Sequence, residues 1–155
     1  MGKAIIPLTI IAVVAATLLS ACTAPGPGSI ISEEKDFSNF TRVYVEGTFD
    51  VDIVQSDSFS VIIRADSSFF DYVAVSQESD TLKISLNPHH PFTDFTVQAR
   101  TLKAEITMPA LYGLNVSGAS KVTASGFSST TGDFLMNISG ASSLNFPGIS
   151  AQKIN

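Results

Sequence analysis

Ser117-Gly118-Ala119-Ser120 recurs 22 residues later as Ser139-Gly140-Ala141-Ser142. The flanking residues recur with it, so that the repeated unit covers 114–127 and 136–149. A fixed period of this size is typical of stacked repeats, in which each unit buries its apolar face against the next. Stacking the two copies brings together five apolar pairs, which are Leu114 with Met136, Val116 with Ile138, Val122 with Leu144, Ala124 with Phe146 and Phe127 with Ile149. The stretch therefore predicts coils that lie on one another in a fixed register.

A weaker copy of the pattern lies upstream. Residues 45–53 share with 116–124 the order apolar, any residue, Gly, three residues, apolar, any residue, apolar. We interpret the shared glycine position, occupied by Gly47, Gly118 and Gly140, as a structural corner between two short strands. Glycine at a corner permits a positive φ or a close approach of two backbones. Gly47 and Gly118 are 71 residues apart, which is not a multiple of 22, so longer loops are expected in the first half.

From Phe37 onward, apolar and polar residues alternate in short runs such as 43–53, 61–65, 82–86 and 104–108. This alternation predicts half-buried strands. Asn-Gly and Asp-Gly, the common two-residue hairpin turns, are both absent from the sequence. Together with the repeat, this favours a β-solenoid over an antiparallel sandwich. We therefore predict an all-β fold, a single right-handed parallel β-helix with coils of about 22 residues in the C-terminal half.

The beginning of the chain has the features of an export signal. Lys3 precedes an apolar run from Ala4 to Leu19, and Leu19-Ser20-Ala21-Cys22 resembles the bacterial lipobox. That resemblance implies signal cleavage after Ala21, lipidation of the Cys22 thiol and often acylation, for example by palmitate, of the new amino terminus. Cys22 is the only cysteine and has no disulfide partner. A plain secretory signal and a short membrane anchor are the alternatives.

The chain of 155 residues thus divides into three predicted parts. Residues 1–21 form the lipoprotein signal peptide, and residues 22–36 form a lipidated cysteine with a flexible tether rich in Pro and Gly. Residues 37–155 form one β domain. The formal net charge of −5 and the lack of a basic patch indicate that nucleic acid is not a partner.

Few residues suggest chemistry. His89-His90 lies in a predicted turn, but a zinc site requires three or four ligands. Asp50 and Asp52 could act as a carboxylate pair, although their alternation with Val51 and Ile53 places them on a solvent face. The corner serines are expected to satisfy backbone groups, since a nucleophile motif of the form Gly-x-Ser-x-Gly is absent. We predict no catalytic residue, no metal site and no cofactor.

Five blocks occur in a specific order, namely 47–55, 61–66, 80–84, 106–111 and 114–120. With these blocks the chain resembles the putative auto-transporter adhesin, head GIN domain family over essentially all of 37–155. The resemblance implies a fold like a parallel β-helix, an exported and often lipid-anchored protein, and no established catalytic residues. Members usually continue through further Ser-Gly-Ala coils. A third copy would begin near residue 161, so we expect the domain to be truncated at its C-terminus, the alternative being an exposed edge.

The predicted function is that of a lipid-anchored cell-envelope protein with a non-catalytic adhesive or structural domain. The anchor would lie on the outer face of the cell membrane or in the outer membrane. Expected partners are the membrane, a glycan or another envelope or surface protein, and a second copy through the exposed terminal coil. A carbohydrate-active enzyme and an accessory lipoprotein of an envelope signalling system are the alternatives. They would be distinguished by a cleft with converging acids and by neighbouring genes, respectively.

Overall fold

The structure, a computed structural model, describes residues 28–87, 101–127 and 134–147. These residues form strands joined by short turns, with one 3₁₀ turn at Phe70–Tyr72. The strands are β1 (Ile30–Lys35), β2 (Arg42–Gly47), β3 (Asp50–Gln55), β4 (Ser60–Asp66), β5 (Val73–Glu78), β6 (Thr81–Leu86), β7 (Leu102–Met108), β8 (Gly113–Gly118), β9 (Lys121–Ser125), β10 (Leu135–Ile138) and β11 (Ser143–Asn145). The prediction of an all-β fold is confirmed.

The strands build two sheets that share one hydrophobic core. Sheet A has the strand order β1-β4-β7-β3-β9-β11, and sheet B has the order β10-β8-β2-β6-β5. Alternate residues are buried along most strands, most regularly in β7, where every second side chain from Leu102 to Met108 faces the core. Buried residues from both sheets form a single cluster, so the sheets pack face to face. Each sheet therefore has one inner apolar face and one outer face.

Three strand–corner–strand units stack in parallel at one end of the molecule. Each unit places one strand in sheet B and the next in sheet A, and the units are β2–β3, β8–β9 and β10–β11. Met136 pairs with Leu114, Ile138 with Val116 and Leu144 with Val122, so the predicted 22-residue register is confirmed at these pairs. Ile149 lies outside the described residues, and the paired segment of β11 ends at Asn145.

The prediction of a single right-handed parallel β-helix is wrong. Antiparallel pairs join β1 to β4, β4 to β7 and β5 to β6, so both sheets are mixed. A solenoid adds each coil to the preceding one. Here β6 lies between β2 and β5 in sheet B, and β7 lies between β3 and β4 in sheet A, so later strands separate strands that precede them in the chain. The described strands therefore form no closed solenoid, and the 22-residue period applies only to the units β8–β9 and β10–β11.

One turn explains why sequence patterning misled the fold prediction. β5 and β6 are joined by the two residues Ser79 and Asp80, and Ser79 adopts a φ of 53°. Such a turn normally contains Gly or Asn, because other residues seldom adopt the left-handed region. The Asp80 carbonyl accepts the Thr41 and Arg42 N–H groups at 2.9 and 3.0 Å, which ties the turn to the start of β2. A hairpin was therefore present without its usual sequence signal.

The segment before β2 also differs from the expectation of a tether. Ile30–Lys35 forms β1 and pairs antiparallel with β4 along its whole length. This strand covers the edge of sheet A that β4 would otherwise expose. Residues 22–27 of the predicted tether lie outside the described part of the chain.

Candidate functional site

The predicted corner glycines are stacked in the structure. Gly47 is the register partner of Gly118, and Gly47, Gly118 and Gly140 have φ values of 128°, 90° and 74°. A Cβ atom added to Gly118 would collide with the Gly47 carbonyl oxygen, and one added to Gly140 would collide with that of Gly118. The Gly47 oxygen accepts the Ala119 N–H at 2.7 Å, and the Gly118 oxygen accepts the Ala141 N–H at 2.7 Å. Each corner thus lies directly on the next through backbone contacts.

Two corner serines hydrogen-bond to the backbone of adjacent units. The Ser120 hydroxyl is buried, accepts the Phe49 N–H at 3.1 Å and donates to the Gly47 carbonyl at 3.0 Å. The Ser142 hydroxyl accepts the Ser120 N–H at 3.3 Å. The expectation that these serines satisfy backbone groups is confirmed for both. The corner is therefore a structural joint, which leaves the outer faces of the sheets as the surfaces available for binding.

The outer face of sheet A carries polar side chains in three rows across strands β4, β7, β3 and β9. Register partners define the rows, because parallel and antiparallel pairing both place them side by side. In strand order, the first row is Arg64, Lys103, Asp50 and Lys121; the second is Ile62, Glu105, Asp52 and Thr123; the third is Ser60, Thr107, Val54 and Ser125. The face thus changes from charged at the first row to hydroxyl-bearing and apolar at the third.

Ion pairs connect the first two rows. Lys103 Nζ lies 3.0 Å from an Asp52 carboxylate oxygen and 3.6 Å from Glu105, and the Arg64 guanidinium lies 3.0 Å from the other Glu105 oxygen. The side chains are about one-third to one-half exposed, so water and salt screen these pairs. Their main effect is therefore to fix the orientation of Asp52 and Glu105 on the face.

Lys103 titrates above the usual range of a lysine. The hydrogen bond that Lys103 donates to the Asp52 carboxylate and the negative charge of Asp52 raise the pKa of Lys103 above the ordinary value of 10.5. Desolvation opposes this rise, and the charges of Glu105 and Asp50 add to it. Since the folded-state pKa is raised, the contact stabilises the fold fully below pH 10.5 and is lost as the pH rises through the raised pKa. At neutral pH the network is intact.

An open groove of about 390 Å³ lies over the second and third rows. Its lining residues are Asp52, Val54, Ser60, Ile62, Glu105, Ile106, Thr107, Thr123 and Ser125. The apolar side chains lie beside hydroxyls, while the two carboxylates stand where the groove meets the charged first row. A groove lined in this way suits a ligand that has both apolar and hydrogen-bonding surfaces.

The sequence identified part of this face. Asp50 and Asp52 lie on the outer face of β3, as predicted, but Asp52 lines the groove and Asp50 does not. Glu105 and Lys103 were missed, although Glu105 alternates with buried Ala104 and Ile106 and is thus identifiable as outward-facing. The pairing of β3 with β7 across more than fifty residues is what brings Asp52 to Glu105. No sequence pattern specified that pairing.

Other predicted positions fall outside this face. Ala21, Cys22, His89 and His90 lie outside the described residues. Within the described ranges, no three His, Cys, Asp or Glu side chains are close enough to hold a metal ion. Across those same ranges, helices of the length and hydropathy needed to cross a bilayer are also absent.

Several solved structures have a similar fold. A putative adhesin from Bacteroides fragilis gives a TM-score of 0.64 at 18% identity, covering 76% of this chain and 53% of that one. A putative adhesin from Parabacteroides distasonis gives 0.57 at 18% identity, covering 77% and 57%. A putative lipid binding protein from the same species gives 0.54 at 24% identity, covering 64% and 42%. At these identities the likeness concerns the fold alone, and the chain spans about half the length of these proteins.

No curated protein matches the chain. The family model for the putative auto-transporter adhesin, head GIN domain, matches residues 39–155. The matched region includes the three stacked corners and the whole lining of the groove. The family resemblance predicted from the five sequence blocks is therefore confirmed, and the chain belongs to the putative auto-transporter adhesin, head GIN domain family.

Proposed function

We propose that this chain is an exported, lipid-anchored envelope protein whose β domain is a non-catalytic adhesive module. The family and two structural neighbours are described as putative adhesins, which supports surface exposure and an adhesive role. The observation that carries the proposal is the groove on the outer face of sheet A, where apolar and polar groups are placed side by side. The ligand class that this groove fits is an extended glycan.

The chemistry of the groove supports a glycan ligand. A sugar ring has apolar C–H patches and a rim of hydroxyls, so it needs apolar contacts beside donors and acceptors. Val54 and Ile62 offer the apolar contacts. The Thr123 hydroxyl can donate and accept. The Thr107 hydroxyl, which donates to the Ser58 carbonyl at 3.0 Å, can accept, as can the Asp52 carboxylate. The third row carries a hydroxyl on three of its four strands, at Ser60, Thr107 and Ser125, so successive sugar units lying along this row would each meet a hydroxyl.

The ion pairs support binding over catalysis. Hydrolysis of a glycosidic bond generally requires one protonated acid and one free carboxylate. Here Asp52 is paired with Lys103, and Glu105 is paired with both Arg64 and Lys103. These ion pairs hold both carboxylates in place on the face, where their oxygens can accept hydrogen bonds from ligand hydroxyls.

A charge introduced into the groove is expected to weaken ligand binding strongly. Thr123→Lys would fill the groove beside Asp52, and the glycan-array signal of the full chain should fall at least about tenfold. Asn115→Lys is the matched control, because it adds the same charge on the outer face of sheet B. A product assay on the bound glycans should show that they remain intact.

Three results would reject the adhesive proposal in its present form. Absence of binding by the unmodified chain would exclude a glycan ligand of the array. Equal binding by both variants would exclude the groove as the site. Cleavage of a bound glycan would contradict the non-catalytic role and support the alternative, a carbohydrate-active enzyme.

The lipid anchor is tested separately. Labelled palmitate should be incorporated into the unmodified chain and into Thr23→Ser, but not into Cys22→Ser, because only the cysteine thiol accepts the diacylglycerol group. Cys22→Ser should also be recovered largely in the soluble fraction, since firm anchoring requires two or more acyl chains. Equal labelling of Cys22→Ser and the unmodified chain would contradict lipidation at this residue.

A further inference from the structure

The groove on the outer face of sheet A offers many hydrogen-bond acceptors and few donors. Its two charged lining residues, Asp52 and Glu105, are carboxylates, and no Lys or Arg is among the lining residues. The Lys103 ammonium contacts Oδ2 of Asp52, and no described residue donates a hydrogen bond to Oδ1 of the same carboxylate. An ionised carboxylate only accepts hydrogen bonds. These two side chains therefore call for donors on the ligand.

Two of the four hydroxyls that line the groove already donate their hydrogen atom to other protein groups. The Ser60 hydroxyl donates to a Glu34 carboxylate oxygen at 3.0 Å, and the Thr107 hydroxyl donates to the Ser58 carbonyl at 3.0 Å. A hydroxyl has one donor and two acceptor sites, so both oxygens can still accept a hydrogen bond from a ligand. The acceptors thus continue from the second row into the third row on β4 and β7.

The donors of the groove are confined to one strand. Thr123 and Ser125 lie on β9, and among the described residues neither hydroxyl takes part in a hydrogen bond. The strands β4, β7 and β3 present acceptors and apolar side chains to the groove. A ligand that lies across the strands therefore meets acceptors along most of its length.

The cations of this face lie in the first row, outside the groove. Arg64 is held by Glu105 at 3.0 Å, and Lys103 is held by Asp52 at 3.0 Å. Lys121 lies beside Asp50, its register partner on β3. An anionic group in the groove would face the two lining carboxylates before it reached Arg64 or Lys103. The formal net charge of −5 of the chain adds to this repulsion.

We propose that the groove selects glycans that present hydroxyl donors and carry no anionic groups, and that Asp52 and Glu105 set this selectivity. The inference rests on the glycan-binding role proposed above and narrows the ligand class to neutral glycans. A neutral sugar unit supplies hydroxyl hydrogens to the acceptors. A uronic acid or a sulfated sugar places a negative charge and further acceptors against two carboxylates. Selectivity of this kind combines an attractive and a repulsive element.

Matched pairs of glycans test this selectivity. The full chain is applied to an array of hexasaccharides of glucose, mannose and galactose, each printed beside its C6-oxidised uronic acid form. The members of a pair differ only at C6, and the neutral member should give a signal at least about tenfold higher. Asp52→Asn and Glu105→Gln each remove a charge and add an amide donor, so each should lower this ratio at least about threefold.

Asp50→Asn is the matched control. It removes the same charge two residues away on β3, in the first row outside the groove, so the ratio should stay that of the unmodified chain. Circular dichroism checks that each variant is folded, and Glu105→Gln carries the test if Asp52→Asn fails to fold. An equal loss of selectivity in Asp50→Asn would assign the effect to overall charge and overturn the role of Asp52 and Glu105.

The remaining outcomes separate this inference from the proposed function. Binding of the uronic acid members as strongly as the neutral members would overturn the selectivity and leave glycan binding in place. Absence of binding to either member of every pair would reject the glycan ligand itself, and the selectivity with it.

Discussion

Val116→Asp is expected to unfold the chain. Val116 is fully buried in β8 and lies between Val45 of β2 and Ile138 of β10 in the parallel register of sheet B. Burial of a carboxylate without a partner costs roughly 3–5 kcal/mol, a large share of the total stability of about 5–15 kcal/mol of a typical domain. We expect urea unfolding followed by circular dichroism to show a loss of this size, or no folded state at all.

The neighbouring residue provides the control for this substitution. Asn115 is half-buried on the outer face of sheet B, one residue away on the same strand. Asn115→Asp adds the same charge where water can solvate it, so the free energy of unfolding should change by less than about 1 kcal/mol. If Val116→Asp were as stable as Asn115→Asp, the side chain of Val116 could not lie in the core between Val45 and Ile138.

The stacking of repeated units was predictable because it depends on local similarity. Equivalent apolar residues must lie on one another when the units stack, so the register of β8 with β10 follows from the sequence. The weaker copy at Gly47 also pairs as the shared pattern implies, with Gly47 beside Gly118. The extent to which these stacked apolar residues are buried was less predictable. Ile138 has the predicted register and yet is 41% exposed, and no strand of the described residues pairs with the outer side of β10.

The directions and partners of the strands between β3 and β8 were not predictable from the alternation of apolar and polar residues. Alternation identifies β4, β6 and β7 as half-buried strands, but parallel and antiparallel partners produce the same alternation. Direction is set by turns, and the turn at Ser79 uses a residue that seldom adopts a positive φ. The layer of β4 and β5 was therefore wrongly assigned to a continuous solenoid.

The same limit applies to the candidate site. The outward position of Asp52 follows from its alternation with Val51 and Ile53, whereas its contact with Lys103 depends on the pairing of β3 with β7. Asp52 and Lys103 are 51 residues apart in the sequence. Single residues of the groove were thus identifiable as exposed, but their assembly into one surface required the sheet order.

Gly118→Ala is expected to destabilise the fold strongly because it combines two separate effects. The backbone of Gly118 has a φ of 90°, a region that residues with a Cβ atom rarely adopt. The added methyl group would also meet backbone atoms of Gly47, including its carbonyl oxygen, which already accepts the Ala119 N–H. Backbone atoms cannot move aside as a flexible side chain can. We expect a loss of about 3 kcal/mol or more in urea unfolding.

Gly28→Ala separates the two effects. Gly28 has a similar φ of 84°, but a Cβ atom there would meet no heavy atom within 4 Å. Only the cost of placing a residue with a Cβ atom at a positive φ remains, so the free energy of unfolding should fall by about 1–2 kcal/mol. The difference between the two variants therefore measures the contact between stacked corners. If both variants lost the same stability, the close approach of Gly118 to Gly47 would contribute nothing, and the glycine pattern would reflect backbone conformation alone.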